Sequence, residues 1–436
     1  MTTSTASDGV HPTIDRRRQL ITGGVGHLIE YFDWSAYSFL AIYFAHQFFP
    51  GGESSLVPLL STFAVFAVGF LARPVGGIVL GKVADRRGRK AALSLSVAMM
   101  GIGSLIIGLS PTFYQVGVLA PIVLVIARLV QGFSTGGELA TASAFLMESA
   151  PDDRRGTFTS FTNVTSSAGK VLCLGIITGL VHLVGTENMS EWAWRVPFLI
   201  GAAGAVVAWW IRRRAQETLA AATDSGEVER VARMNRGSFA ELFTDHRGAF
   251  WRAFAIAALT GAMFYAWGSF VPTWAVVTAG LDKESAVLIS TIAFVFYGLL
   301  QVPLGRLSDR IGRRPMLLTF ALGNSVLTVP LFLLISSNAL DTLLVQCAGL
   351  ALTAIVMSIS GAMVGEMFPS HVRVLATGTA MSFATAIFGG TVPLIGTWLH
   401  SAGATELFPV YLVVLNVVGA IVLWRIPETA HARLLP

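Results

Sequence analysis

The sequence predicts an all-α, polytopic membrane protein: twelve transmembrane helices in two pseudo-symmetric six-helix bundles. Three observations predict it: the composition, the spacing of the apolar runs, and a polar motif that occurs twice. Of 436 residues, 54% are hydrophobic and only 13% charged, with mean hydropathy +0.67. Soluble chains carry about a quarter charged residues. A span needs roughly 20 apolar residues, so at about 36 residues per helix and loop the chain holds roughly twelve. The apolar segments cover nearly the whole length, which excludes a single anchor. They are continuous and not alternating, which argues against an outer-membrane barrel.

The apolar runs place spans at 18–45, 58–81, 90–110, 117–148, 157–183, 194–212, 249–277, 285–305, 315–336, 340–367, 374–400 and 405–425. Each is read as a helix, because hydrocarbon cannot satisfy an unpaired backbone. Residues 1–17 form a polar tail that lacks a short apolar core and cleavage site. The first span is long and carries acids, so it reads as a retained helix and not a signal peptide. Residues 18–214 then form the N-terminal bundle and 249–425 the C-terminal one. The stretch 215–248 between them is a polar cytoplasmic linker, and 426–436 is a second tail.

Orientation follows from the 30 Lys and Arg. Arg73, Arg128 and Lys170 lie within spans, and Arg195 and Lys283 on one side. The other 25 lie in the tails and the loops of the opposite side, or at helix ends beside them. Cytoplasmic loops carry the excess of positive charge, so both termini are expected in the cytoplasm of a cell whose inner membrane holds the protein. The net charge of +5 and pI near 9.5 are thereby explained without a nucleic-acid partner. Cys173 and Cys347 lie in separate apolar runs, with no CxxC spacing and no disulfide framework. No nucleotide loop, metal-ligand spacing or nucleophile arrangement supports an enzyme. Neither a metal nor an organic cofactor is expected.

The halves repeat. Gly81-Lys82-Val83-Ala84-Asp85-Arg86-Arg87-Gly88-Arg89-Lys90 follows the second span, and Gly305-Arg306-Leu307-Ser308-Asp309-Arg310-Ile311-Gly312-Arg313-Arg314 follows the eighth. Glu148 with Arg154-Arg155 is echoed by Glu366 with Arg373, and Glu217-Thr218 by Glu428-Thr429. Three echoes in order indicate a duplicated six-helix unit, a signature of secondary transporters. Each motif Asp sits among Arg residues near the start of the next helix. There it can accept backbone N–H bonds, favour the helix dipole and pair with Arg89 or Arg313. Asp85, Arg89, Asp309 and Arg313 are therefore read as a gate at the cytoplasmic side.

Charges inside spans are costly, at about 2.5–3.5 kcal/mol each on insertion scales, and usually face a cavity. Glu30, Asp33 and Tyr37 share one face of the first span. Arg128, Gln131, Thr135 and Glu138 form a stripe on the fourth, and Asn163, Ser166 and Lys170 one on the fifth. Such stripes suit a water-filled cavity. Arg128 reads either as a two-pronged clamp for a carboxylate or as a standing partner of Asp33 or Glu138. Lys170 can hold a second carboxylate as a point charge. Asp33 and Glu30 are the candidate proton carriers, with Glu138 behind them. Arg73, before Pro74 and Gly76-Gly77, reads as structural, and His27 as a polar contact near Glu30. Tyr265, Trp267, Tyr297 and Gln301 are candidates for a neutral wall opposite.

The doubled loop motif with twelve spans resembles the major facilitator superfamily. Gly26-His27-Leu28-Ile29-Glu30-Tyr31-Phe32-Asp33, Ala72-Arg73-Pro74-Val75-Gly76-Gly77, and Ala127-Arg128-Leu129-Val130-Gln131-Gly132 through Gly136-Gly137-Glu138 resemble its metabolite:proton symporter family. Tyr43-Phe44-Ala45-His46, Glu191-Trp192-Ala193-Trp194-Arg195-Val196-Pro197 and Glu366-Met367-Phe368-Pro369 point toward its 2-oxoglutarate-type members. The chain departs at Glu30 to Trp34, where the family reads E-W-Y-D-F, and at Lys170, where a neutral polar residue is expected. The resemblance implies proton-coupled symport of a small carboxylate by alternating access, in which the first and fourth helices face the cavity. It implies as partners a small carboxylate and membrane lipid, and a monomer. The alternatives are a symporter of a monocarboxylate or betaine-like zwitterion, or a nutrient sensor of the same fold.

Overall fold

The computed structural model describes residues 16–52, 55–87, 89–136, 147, 150–215 and 239–430, of which no residue is in a strand. Twelve long helices follow one another: α1 (Arg16–Phe48), α2 (Val57–Arg87), α3 (Arg89–Leu109), α4 (Leu119–Thr135), α5 (Arg155–Ala193), α6 (Arg195–Ala215), α7 (Arg247–Ala279), α8 (Lys283–Ile311), α9 (Arg313–Leu333), α10 (Ala339–Gly365), α11 (Ser370–Ser401) and α12 (Leu407–Leu423). Each falls on an expected span. The fourth was expected to reach residue 148, and 137–146 and 148–149 lie outside the described residues. Among the described residues, eight helices are long and apolar enough to cross a membrane, and α4, α6 and α12 are shorter apolar helices. α1 is long enough at 33 residues but is diluted by His27, Glu30 and Asp33. A short helix, Phe239–Thr244, precedes α7.

The packing repeats with a period of six helices. α1 packs on α5 and α6, α2 on α4, and α3 on α4 and α6; α7 packs on α11 and α12, α8 on α10, and α9 on α10 and α12. Two seams join the halves, α5 against α8 and α11 against α2, and they too are counterparts. A duplicated sequence has thus kept duplicated contacts.

Small residues set how close these helices come. A Cβ on Gly132 would overlap the Gly69 carbonyl, and one on Gly76 the Phe133 carbonyl, so α2 and α4 meet backbone to backbone. In lipid, where burial supplies little driving force, such contact is a main source of helix association. It also brings Arg73 on α2 and Arg128 on α4 to the same aromatic side chain, Trp34.

Among the described residues, π-helical turns end α5 at Met189–Ala193 and interrupt α7 at Tyr265–Phe270 and α11 at Thr385–Gly389. A proline follows each within a few residues: Pro197, Pro272 and Pro393. Proline lacks the N–H and clashes with the carbonyl four residues back. The wider turn absorbs that mismatch.

Candidate functional site

At the centre of α1, α3 and α4 lies a buried polar cluster. Asp33, 1% exposed, accepts from Ser104 Oγ and, at 2.5 Å, from Gln131 Nε2. Gln131 Oε1 in turn accepts from Arg128 Nη1 at 2.7 Å. Gln131 therefore sits between the acid and the guanidinium, whereas the sequence suggested either a free clamp or a direct Arg128 ion pair. The 3.6-residue turn explains it: Arg128 and Gln131 are neighbours on one face of α4, and the amide fits between groups of opposite charge. Arg128 is fully buried. Its guanidinium lies 4.1 Å from the Tyr37 ring and 4.3 Å from the Trp34 ring, and its Nε and Nη2 have no hydrogen-bond partner among the described residues.

Lys170 makes a second cationic centre. Its ammonium sits 4.0 Å from the Tyr31 ring, 4.9 Å from Phe264 and 5.6 Å from Phe294. Its only hydrogen bonds among the described residues are long ones, 3.4 Å to the carbonyl and the hydroxyl of Ser166. Lys170 is thus enclosed by aromatic faces from α1, α7 and α8.

A cavity between the halves spans about 560 Å³ of empty space, part of it open to solvent. It is lined by Glu30, Tyr31 and Trp34 of α1, Arg73 of α2, Thr135 at the end of α4 and Tyr265 of α7. On α11, Gly378, Met381, Ser382 and Thr385 complete it. Both halves contribute. The π-turns of α7 and α11 begin at Tyr265 and Thr385, so the two proline-driven distortions place residues on this wall.

Of the residues expected at the cavity, Glu30 and Tyr265 line it. Arg128 and Lys170 lie behind Trp34 and Tyr31. Several others are engaged elsewhere. Tyr37 donates its hydroxyl to the Thr62 carbonyl at 2.9 Å and offers only its ring to Arg128. Asn163 reaches across the seam to the Met357 carbonyl at 2.6 Å, so it joins the halves. Gln301 donates to the Tyr297 carbonyl at 3.0 Å, and the buried Tyr297 hydroxyl sits beside it. Trp267 is packing: its indole bonds Asn324 at 3.1 Å and fills the space over Gly349. His27 contacts Thr165 at 3.1 Å. Glu138 lies outside the described residues.

Arg73 was read as structural, and the structure places it on the cavity wall. Its guanidinium lies 3.9 Å from the Trp34 ring and 4.0 Å from the Phe70 ring, on the cavity wall that Tyr265 also lines. The available signal was an intramembrane Arg, which by default marks a pathway. The adjoining Pro74-Val75-Gly76-Gly77 run drew attention to backbone shape instead. Tyr31 and Trp34 were also missed as wall residues, although they are two of the three positions, with Phe32, where the first-span motif departs from its family.

At one end of the α5–α8 seam lies the described half of the doubled motif. Asp309 accepts from the backbone N–H of Gly156 and of Thr157, both at 2.8 Å, and from the Thr157 hydroxyl at 2.7 Å. The expected cap is real but falls on α5, in the other half, and not on the following helix. That following helix, α9, is capped by Glu428, which accepts from the N–H of Arg313 at 2.8 Å and of Arg314 at 3.0 Å. Arg313 pairs with Asp309 at 2.9 Å, as expected, and with Glu366 at 3.2 Å; Arg155 stands 3.9 Å from Glu366. Asp85 falls in the last turn of α2 and Arg89 opens α3, and both side chains lie outside the described residues. Towards the other end of the seam, Thr178 meets Thr291 at 3.1 Å; nearby, Tyr43 of α1 donates to the Lys283 carbonyl at 3.0 Å.

A family model described as sugar (and other) transporter matches residues 25–435. The chain belongs to this transporter family, and its fold is that of the major facilitator superfamily. It is 38% identical over 425 residues to the alpha-ketoglutarate permease of Escherichia coli (strain K12), covering 96% of each chain. It is 32% identical over 428 residues to the proline/betaine transporter of Salmonella typhimurium, covering 96% of this chain and 85% of that one. A crystal structure of a D-xylose-proton symporter superposes with a TM-score of 0.75 at 18% identity, covering 96% of this chain and 100% of the other. The proton:xylose symporter XylE bound to 6-bromo-6-deoxy-D-glucose gives 0.74 at 16%, covering 96% and 97%. At that identity the likeness concerns the fold alone. This family member is an integral, multi-pass membrane transporter of small molecules and not an enzyme.

Proposed function

We propose that the protein is a proton-coupled symporter of a small carboxylate, of the 2-oxoglutarate or similar dicarboxylate class. The observation that carries this reading is the guanidinium of Arg128. It is fully buried, and two of its three nitrogens lack hydrogen-bond partners among the described residues. A planar fork of this kind suits a carboxylate. Arg73 on the wall and Lys170 behind Tyr31 supply further positive charge for a second carboxylate. The likeness to the alpha-ketoglutarate permease favours the same class.

The likeness to proline/betaine transporters raises a second reading, a zwitterion with a quaternary ammonium group. Such a group is held by aromatic faces. Here Arg73 covers Trp34 and Phe70, Arg128 covers Trp34 and Tyr37, and Lys170 covers Tyr31. Faces already stacked on cations repel another cation, which favours the anionic substrate.

In this reading Asp33 and Glu30 carry the proton, with Glu138 as a further candidate. The Asp309–Arg313 cluster, with Asp85 and Arg89 as its counterpart, closes the cytoplasmic end, and the halves rock about the α5–α8 and α2–α11 seams. The protein acts as a monomer in the inner membrane with both termini cytoplasmic, and the proton is its only coupling agent. The test is uptake into proteoliposomes under an imposed proton gradient, across labelled mono-, di- and tricarboxylates, proline and betaine. Gradient-driven accumulation of dicarboxylates and not of betaine is expected. Accumulation of betaine alone would replace the first reading by the second.

A further inference from the structure

Away from the cavity, three donor groups converge from three elements. Glu241 lies on the short helix Phe239–Thr244, His246 caps the N-terminus of α7, and His371 stands in the first turn of α11. His371 Nε2 is 2.6 Å from Glu241 Oε1, and His246 Nε2 is 4.0 Å from the same oxygen. The donor atoms all lie within 4.8 Å of one another. The side chains are 36%, 25% and 27% exposed for His371, His246 and Glu241, so an ion can reach them without the fold opening.

We propose that Glu241, His246 and His371 form a binding site for a divalent transition-metal ion of the zinc class, which ties the segment before α7 to the start of α11. Two imidazoles and one carboxylate are a borderline donor set suited to Zn²⁺, and three protein ligands leave a fourth position for water. With Zn–N and Zn–O bonds of about 2.0–2.2 Å, tetrahedral ligands stand roughly 3.4 Å apart. The 2.6 Å contact must widen and the longest separation, within 4.8 Å, must close by up to about 1.4 Å. Side-chain rotation in partly exposed residues supplies both. The site differs in chemistry from the transport cavity, which offers cations and aromatic rings. Its link to that cavity is mechanical, since α11 also carries Met381, Ser382 and Thr385.

The test uses the full-length protein purified with a tag that contains no histidine, titrated with Co²⁺ and then with Zn²⁺. One equivalent of Co²⁺ with the intense visible absorption of a tetrahedral site is expected, displaced by one equivalent of Zn²⁺. His371→Ala and His246→Ala should each weaken binding at least about tenfold, and Glu241→Gln should weaken it and change the spectrum. Zn²⁺ should slow hydrogen exchange in residues 239–246 of the parent protein and not of His371→Gln, which keeps a polar side chain there. Absence of stoichiometric Co²⁺ binding to the parent would overturn the proposal. So would binding that survives intact in both histidine variants, because the ion would then be held elsewhere.

Discussion

Arg128 concentrates the chemistry at the scale of single residues. Arg128→Lys keeps the charge but puts a point ammonium where a fork lay between two rings. The loss of one charge-assisted hydrogen bond, about 1.5–3 kcal/mol, predicts a fall in kcat/KM for uptake of about ten- to a hundredfold. Labelled uptake in proteoliposomes measures it, and near-normal transport would remove the clamp from the mechanism. Asp33→Asn tests coupling. The amide can still accept from Ser104 and meet Gln131, but it cannot take up and release a proton. Substrate exchange should persist, while accumulation driven by an inward proton gradient falls to the level without a gradient. Accumulation that survives would move the proton carrier to Glu30 or Glu138. The role of Gln131 was not legible in advance. Spacing put it on the Arg128 stripe, but the approach of α3 and α1, which brings Ser104 and Asp33 to it, is a tertiary event.

Among the elements, the helix N-termini show how far sequence reaches and where it stops. That Asp309 would cap a helix could be read from its setting among a Gly turn and Arg residues. Which helix it caps could not, because the seam between α5 and α8 decides it. Asp309→Asn keeps part of the cap but removes the charge that pairs with Arg313. Breaking a buried pair costs about 3–5 kcal/mol, so turnover is expected to fall at least about tenfold, while substrate binding measured by calorimetry stays within about threefold. Glu428 offers a pH test outside the membrane. Partial burial pushes its carboxyl up, but the backbone N–H groups of Arg313, Ala430, Arg314 and Thr429 outweigh this and hold it below the ordinary carboxylate value. The folded state therefore favours the anion. The stabilisation is present above the ordinary carboxylate range and is lost as pH falls through and below it. Glu428→Gln should lower stability by about 1 kcal/mol at neutral pH and flatten the acid limb of a thermal-unfolding series. The π-turns were partly legible, since Pro272 and Pro393 announce a break; that both breaks open onto one cavity was not.

At the scale of the whole molecule, the duplication was the most legible feature. Sequence echoes at the Asp85 and Asp309 loops correspond to helix contacts that repeat six helices on, including the two seams. Composition and periodicity suffice for this, because membrane helices of fixed length leave few ways to pack. The cavity was less legible: polar stripes were expected to face water, yet Asn163 and Tyr37 spend their hydrogen bonds on backbone carbonyls of neighbouring helices. The distribution of Lys and Arg makes a prediction for the assembled protein. A reporter active only outside the cytoplasm should be silent when fused at either terminus and active when inserted in the loop at Gly51-Gly52. Activity at a terminus would invert the topology and, with it, the side that the Asp309 cluster is proposed to close.

That cluster is shut away from solvent: Arg313 and Glu366 are 1% and 2% exposed at their side chains, and Asp309 is 8% exposed. Mobile ions screen charges that they can surround, with a Debye length of about 8 Å at physiological ionic strength, and reach buried pairs far less. On the proposed function, in which this cluster closes the cytoplasmic end, that closure is therefore largely indifferent to salt. A cell that concentrates potassium and organic anions under osmotic stress can raise its internal ionic strength severalfold without loosening it. The carboxylate substrate proposed above, by contrast, would meet competition from those same anions in the cleft.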